Sequence, residues 1–260
     1  MKKGEKVETA IEVVRLEEAY IDVCVIGTTP LLFNSMSAKA QRELLLPSGK
    51  KSAADKASKL KHDPVEEFRA SIYASRDPQS PTLLEMPSPA FKSALADVAL
   101  DMPGDGVNKS KIARLTWVEG YRVPVWGVPL LCMAGVRMAN MERTPDIRTR
   151  AVVLEWASRF RIHFASTMVK EQAVVNLLAA AGRLRGVGDF RPQKGKGSFG
   201  QFEIVGPKDP RFVALLKMGR KAQEQAMANP VPWDGLADTT ELLTWFAAES
   251  TKRGWKNVAA

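Results

Sequence analysis

The stretch from 182 to 200, GRLRGVGDFRPQKGKGSFG, constrains this chain most, because it holds six of the 18 glycines and five basic side chains. An apolar helical pattern, VVNLLAAAGRL, precedes this glycine-rich loop, and a strand-like pattern, GQFEIV, follows it. Glycines leave room for a ligand to approach backbone N–H groups, and basic side chains neutralise phosphates. The order helix, basic loop, strand therefore favours a nucleic-acid contact. The candidate contacts are Arg183, Arg185, Arg191, Lys194, Lys196, Gly195, Gly197 and Phe199.

Two familiar nucleotide-binding loops do not fit the glycine-rich loop. A Walker-type loop ends in Gly-Lys-Ser/Thr between a strand and a helix, whereas this chain has Gly195-Lys196-Gly197-Ser198 and the reverse element order. The dinucleotide fingerprint fails because GVGDFR lacks the third glycine. We therefore expect no nucleotide cofactor. The alternative to a binding loop is a long glycine-rich hairpin with solvated lysines.

The balance of charge indicates a polyanionic partner. Lysine and arginine total 38 against 29 acidic residues, which gives a formal net charge of +9. No apolar run of membrane-spanning length and no N-terminal signal pattern is present, so we expect a protein of the bacterial cytoplasm with no membrane partner. Cys24 and Cys132 lie in apolar segments and are expected to be buried free thiols. Two cysteines and two histidines without ligand spacing predict no metal site.

A second informative segment runs from Arg150 to Phe164. Its even positions are mostly apolar, whereas Arg159, Arg161 and His163 occupy odd positions. This alternation predicts one long strand with an apolar face and a basic face, with a bulge possible at Ser158. The basic face is the second predicted nucleic-acid contact.

Two further basic segments extend the predicted surface. Arg148 and Arg150 lie in an arginine cluster around the loop that precedes the long strand, and a guanidinium can hold a phosphate through two hydrogen bonds. The segment 47–63 is lysine-rich, includes Lys50 and Lys51, and lacks strong periodicity. It predicts a basic insertion that contacts nucleic acid or, equally, a solvated linker.

The other segments predict a mixed fold. The expected elements, in chain order, are a strand at Tyr20–Gly27, a helix from Ser37 to Pro47, a helix from Pro64, a short strand at TLLEM, a helix behind Ser88, a helix capped by Asn108, a strand-rich block from Trp117 to Met138, a helix capped by Ser166 or Thr167, and helices at Pro210–Ala228 and Thr239–Arg253. They give an α+β class in three parts: a flexible arm over 1–18, a core over 19–206 and a helical extension over 207–260.

Few side chains in this chain are suited to catalysis. His163 can in principle deprotonate a ribose 2′-hydroxyl, and His62 lies in the lysine-rich segment. The adjacent carboxylates at 17–18 and 66–67 cannot share one face of a helix or strand, which disfavours a two-metal nuclease. We therefore expect no catalytic residue, with His163 as the runner-up.

The sequence resembles the RAMP superfamily of CRISPR-associated proteins, and within it the backbone subunits that line CRISPR RNA. The resemblance is carried by GVGDFRPQKGKGSFGQF, by VIGTTPLL, and by MPSPAFKSALADVA around Lys92, and it spans about residues 20 to 206. It implies a modified RRM or ferredoxin-like core with an antiparallel sheet, in which the glycine-rich loop joins the last helix to the last strand.

The resemblance also implies a function. Backbone subunits of this kind bind single-stranded RNA without cleaving it, polymerise along the strand and assemble with other ribonucleoprotein subunits. Their contacts transfer to Arg191, Lys194 and Lys196, and further to Lys92, Arg159 and Arg161. Two alternatives stay open: a metal-independent endoribonuclease that uses His163, and a phage protein for single-stranded DNA binding or for assembly.

Overall fold

The computed structural model describes residues 13–36, 45, 62–104, 107–137, 145–195, 197–236 and 238–254. The described strands are β1 (Glu18–Gly27), β2 (Leu31–Leu32), β3 (Tyr73–Ala74), β4 (Leu84–Pro87), β5 (Thr116–Val118), β6 (Arg122–Trp126), β7 (Pro129–Arg137), β8 (Pro145–Val153), β9 (Ala157–Ala165) and β10 (Phe202–Val205). The described helices are α1 (Pro64–Ala70), α2 (Ser88–Val98), α3 (Lys109–Leu115), α4 (Glu171–Leu184), α5 (Pro210–Leu215), α6 (Arg220–Ala228) and α7 (Thr239–Lys252). None of these helices is long and apolar enough to cross a membrane.

The main sheet has a ferredoxin-like arrangement. Its strands lie in the order β10-β1-β9-β6-β4-β3, with β5 also paired to β9, and the pairings are antiparallel. Along the chain the core runs β1, α2, β5 and β6, β9, α4, β10, so the last strand lies beside the first. The expected α+β class with an antiparallel ferredoxin-like core is confirmed.

The two core helices cover one face of this sheet. Phe91 of α2 packs against Phe160 of β9 and Phe202 of β10, with ring centroids 4.4 and 5.8 Å apart. Gly182 of α4 lies so close to β10 that an added Cβ would meet the carbonyl oxygen of Phe202 at 2.1 Å. Val187 of the glycine-rich loop is buried in the same core cluster as Phe91, so the loop begins on the same side of the sheet as the helix layer.

The predicted long strand over 150–164 is wrong. The chain forms two strands, β8 and β9, which lie in different sheets: β8 joins β2 and β7 in a three-stranded sheet. The break falls at Trp156, whose buried indole donates a hydrogen bond to the Thr29 carbonyl at 2.9 Å. Ser158 is buried and donates to the Pro124 carbonyl at 2.7 Å, so a polar residue on the apolar face is satisfied there. The strand β8 begins at Pro145, five residues before the predicted start at Arg150.

Other local predictions meet mixed outcomes. Asn108 caps α3 by accepting a hydrogen bond from the Lys111 N–H, as expected. Neither Ser166 nor Thr167 caps α4, which begins after Lys170, because the Thr167 hydroxyl accepts from the Glu17 N–H instead. Cys24 and Cys132 are buried free thiols, as expected, and burial raises the pKa of each. Three predictions lie outside the described residues: the expected helix from 37 to 47 apart from residue 45, which is helical, the lysine-rich segment except for 62–63, and the first part of the arm.

The C-terminal region packs closely on the core. Phe212 and Leu215 of α5 cover Cys24 and neighbouring side chains on the sheet face opposite α2 and α4. The helix expected over 210–228 is two helices, and Gly219 precedes the second. Gln223 of α6 has a fully buried side chain that accepts from the N–H groups of residues 83–84 and donates to the carbonyl groups of 125 and 127. Such a satisfied buried amide fixes α6 against the sheet.

Candidate nucleic-acid interface

The glycine-rich loop is closed by its own backbone hydrogen bonds. The Val187 N–H donates to the Gly200 carbonyl at 2.9 Å, and the Phe199 N–H donates to the Phe190 carbonyl at 3.0 Å. The Asp189 N–H donates to the carbonyl of Leu32 in β2 at 2.9 Å. These bonds give the loop a defined shape, fixed to the second sheet.

Most of the loop glycines are packed against other atoms of the protein itself, which corrects the expectation that they leave room for a ligand. A Cβ added at Gly188 would meet the Leu32 carbonyl at 2.7 Å, and one added at Gly197 would meet the Phe190 carbonyl at 1.7 Å. Among the described glycines of the loop, Gly195 alone faces open space. Its φ of 77° is the left-handed conformation that glycine adopts readily.

Two of the loop arginines hold the loop together. Arg185 donates to the Asp101 carboxylate and to the Asp97 carbonyl, and therefore ties the loop to the end of α2. Arg191 donates to the Gly188 carbonyl at 2.6 Å and to Gln193 at 2.9 Å. Their guanidinium groups are thus partly engaged within the protein.

Two other loop cations are available to a ligand. Arg183 and Lys194 are exposed, and neither forms an ion pair within the described part of the chain. Phe199 is half-buried between Phe190 and Trp233, with ring centroids 5.6 and 6.2 Å away, which is a packing position. Lys196 lies outside the described residues.

A cleft of about 230 Å³ opens beside the glycine-rich loop. It is lined by Leu32, Asn34, Tyr73, Met86, Pro87, Ala90, Gly188, Asp189, Arg191 and Lys194. The sequence does not predict Asn34 or Tyr73 as site residues, because nothing in their spacing brings them to a loop more than a hundred residues away. The cleft combines two cationic side chains with an amide and an aromatic ring, which suits a phosphate and a base.

Tyr73 has a defined position in the cleft. The guanidinium of Arg122 lies over its ring at 5.4 Å from the centroid, and its hydroxyl donates to the Asn34 carbonyl at 3.4 Å. Burial raises the pKa of the phenol, so Tyr73 is a neutral hydroxyl at physiological pH.

Arg150 holds the loop in place and does not face solvent, contrary to the prediction. Its side chain is 8% exposed, and Nη1 lies 2.6 Å from Asp189 Oδ2. Burial lowers the pKa of Arg150, while the Asp189 carboxylate favours the charged form. The buried guanidinium therefore anchors the cleft wall to β8, and a ligand has no access to it.

The remaining predicted cations are dispersed. Lys92 is half-buried on α2, and Arg148 is half-buried on β8, and each lacks an ion-pair partner within the described ranges. Neither lines the cleft beside the loop. Lys50 and Lys51 lie outside the described residues.

The cations of β9 lie on the opposite side of the sheet from the glycine-rich loop. Phe160 contacts Phe91 of α2, and side chains alternate along a strand. Arg159, Arg161 and His163 therefore project from the face that α2 and α4 do not cover, which we call the outer face. The two predicted basic surfaces do not form one continuous surface.

The outer face carries acids as well as cations: Arg161 and His163 are paired with carboxylates, whereas Arg159 is exposed and has no ion-pair partner among the described residues. Arg161 donates to both carboxylate oxygens of Asp22 at 2.9 and 3.2 Å, and this hydrogen bond lowers the pKa of Asp22. His163 Nδ1 lies 2.8 Å from Glu18 and Nε2 lies 3.0 Å from Glu119. These acids come from β1 and from the turn after β5, and the sequence pattern of β9 alone does not show them.

His163 is therefore poorly placed to act as a general base. Both ring nitrogens are engaged with carboxylates, and the hydrogen bond to Glu119, followed by that to Glu18, raises its pKa. The ring also stacks on Trp117 at 5.6 Å and contacts Tyr20 at 5.9 Å. A base must have a free, unprotonated nitrogen, and this arrangement stabilises the imidazolium.

No family model matches this chain, and a comparison with curated proteins found no match.

Proposed function

We propose that this protein binds single-stranded nucleic acid through the cleft beside the glycine-rich loop and does not catalyse a reaction on it. The observation that carries the proposal is Lys194, an exposed loop cation without an ion-pair partner in the described chain, on the wall of a cleft that also holds Arg191, Asn34 and Tyr73. A phosphate fits against the cations, and a base fits against the ring and the amide.

RNA is the ligand that we favour, because the resemblance to RAMP backbone subunits and the ferredoxin-like core both accord with it. On the same resemblance we propose that copies assemble along the strand in the cytoplasm, with other ribonucleoprotein subunits as further partners. Single-stranded DNA is the alternative ligand, since phosphate contacts and stacking do not depend on the 2′-hydroxyl. The engagement of His163 by two carboxylates argues against the endoribonuclease alternative.

The experiment is a fluorescence-anisotropy titration of labelled oligouridylate and oligothymidylate with the full chain over a range of salt. We expect tighter binding of the RNA and a linear fall of log K with log salt, with a slope of ~0.7 per neutralised phosphate. Lys194→Glu should weaken binding on the order of tenfold and reduce the slope, because it removes one phosphate contact and adds a repulsion.

Lys217→Glu is the matched control, since Lys217 is an exposed lysine next to α5, on the sheet face opposite the helix layer. It makes the same change in net charge and should bind almost as the parent does. Equal weakening by both variants would mean that net charge alone drives binding, and unchanged binding by Lys194→Glu would remove the cleft from the proposal. Tighter binding of oligothymidylate would favour the DNA alternative.

A further inference from the structure

A second cleft, of about 410 Å³, lies beside α3. It is lined by Asn108, Lys111, Arg114, Leu115 and Met168. Lys111 and Arg114 are three positions apart on a helix and therefore share a face. Apart from a hydrogen bond from Arg114 Nε to the Ser110 carbonyl at 3.1 Å, their charged groups have no partner among the residues that the structure describes.

The surroundings of this second cleft are positive and partly apolar. The segments 107–115 and 166–170 carry the cations Lys109, Lys111, Arg114 and Lys170 and no acidic residue. Leu115 is half-buried, and Met168, which is 56% exposed, adds a large apolar surface to the opposite wall. Cations at the rim of an apolar cleft match the two parts of a nucleotide, since the phosphate is charged and the base has an apolar face.

Asp97 connects the second cleft to the glycine-rich loop. One carboxylate oxygen lies 2.6 Å from Lys109 Nζ at the start of α3, and the other accepts a hydrogen bond from Gln193 of the loop. Gln193 directly precedes Lys194, the exposed loop cation of the first cleft. Asp97 therefore bridges the first residue of α3 and the loop residue next to Lys194. At 1.5 Å per residue α3 is about 10 Å long, so Lys111 and Arg114 lie within about that distance of Lys109 along the helix, on a different face of it.

Three acids that the structure describes near the two clefts are already paired with cations of the protein. Asp97 is paired with Lys109, Asp101 with Arg185, and Asp189 with Arg150. They therefore offer little net negative charge to a passing phosphate, whereas Lys194, Lys111 and Arg114 remain available. On the outer face Arg161 and His163 are matched by acids, and only Arg159 among the three β9 cations has no ion-pair partner in the described residues, so this face offers a poorer path.

We propose that a single strand of nucleic acid continues from the loop cleft past Asp97 to α3, where Lys111 and Arg114 hold its phosphates and Leu115 and Met168 contact a base. This inference rests on the proposed function and extends it by a second subsite that only a longer strand reaches. It predicts that α3 contributes to affinity in a manner that depends on the length of the strand.

The test compares oligouridylates of ~6 and ~24 nucleotides, lengths that bracket the 4–16 nucleotides that one small binding domain commonly covers. Lys111→Ala combined with Arg114→Ala removes two phosphate contacts. We expect it to weaken binding of the long strand on the order of tenfold at physiological salt and to lower the salt slope by ~1.4. The short oligouridylate occupies only the loop cleft, so it should bind this double variant as tightly as it binds the parent.

The matched control is Lys217→Ala combined with Lys221→Ala, two lysines on the exposed sides of the C-terminal segment. Circular dichroism and thermal unfolding of all variants check that they fold as the parent does. If the α3 variant binds the long strand like the parent while Lys194→Glu weakens both lengths, the second subsite is wrong and the proposed function stands. If none of the variants changes binding of either length, the proposed function itself fails.

Discussion

The glycine-rich loop and the outer face of β9 are both basic in sequence, yet the structure uses their cations differently. On the loop side, Arg185 and Arg191 are engaged in holding the loop, and Lys194 is left at the rim of a cleft. On the outer face, Arg161 and His163 are both matched by carboxylates from neighbouring strands and turns. A count of cations along a segment therefore does not identify a binding surface, because acids from elsewhere in the chain decide which cations remain unpaired.

The largest effect that we expect from breaking an ion pair is at Arg150 on the loop side. Arg150→Met keeps much of the side-chain volume but leaves the Asp189 carboxylate without its cation, facing the buried side chain at position 150. Because loss of one partner of a buried pair leaves an uncompensated charge, we expect the free energy of unfolding to fall by about 3 kcal/mol. Chemical denaturation of the parent and the variant measures this fall in the free energy of unfolding.

Arg161→Met is the matched control on the outer face. Its pair with Asp22 is exposed to solvent, so water replaces the lost hydrogen bonds, and the change in the free energy of unfolding should be much smaller. Equal losses for the two variants would contradict the contrast between a structural pair on the loop side and a surface pair on the outer face.

The next effect tests whether the loop glycines serve packing. Gly197→Ala places a Cβ 1.7 Å from the Phe190 carbonyl oxygen, so the loop backbone must shift, and we expect a loss of about 2 kcal/mol in the free energy of unfolding. Gly195→Ala meets no such atom and pays only for the left-handed backbone, about 1 kcal/mol. Thermal unfolding compares them. A larger loss for Gly195→Ala would show that the loop is not packed as described.

The sequence predicts a feature of this structure well when the feature depends on residues that are close together in the chain. The order of α4, loop and β10, the Asn108 cap and the apolar face of β9 follow from periodicity and capping residues, which act over a few positions. The split of 150–164 into two strands did not follow, because Leu154 and Trp156 continue the apolar alternation of a strand while the chain passes from one sheet to the other.

The candidate site was predictable only in part, for the same reason. Lys194 and Arg191 are found from the composition of one segment, and they do line a cleft. Tyr73 reaches that cleft through the pairing of β3 with β4, and Glu119 reaches His163 through the pairing of β5 with β9. Contacts of this kind depend on strand register between distant segments, which one sequence does not specify.

The smallest effect that we expect is the pH dependence of stability that His163 on the outer face contributes. Because the carboxylates of Glu119 and Glu18 raise the pKa of His163 above its ordinary value of about 6.5, the folded protein holds a proton there that the unfolded chain releases at lower pH. The resulting stabilisation is fully present below about pH 6.5 and is lost as pH rises through the higher folded pKa. Proton NMR of the imidazole measures that pKa, and His163→Gln assigns the signal because only one other histidine, His62, is present.

Glu119→Gln sharpens this test, since it removes the carboxylate with the largest effect and keeps the size of the side chain. We expect the pKa of His163 to fall towards its ordinary value in this variant, and the stability difference between mildly acidic and mildly alkaline solution to shrink. If His163 of the parent protein titrates at or below its ordinary pKa, then Glu18 and Glu119 do not bind the imidazole when the protein is in solution. The β9 cations would then be open to a ligand, and the contrast with the loop side would lose its basis.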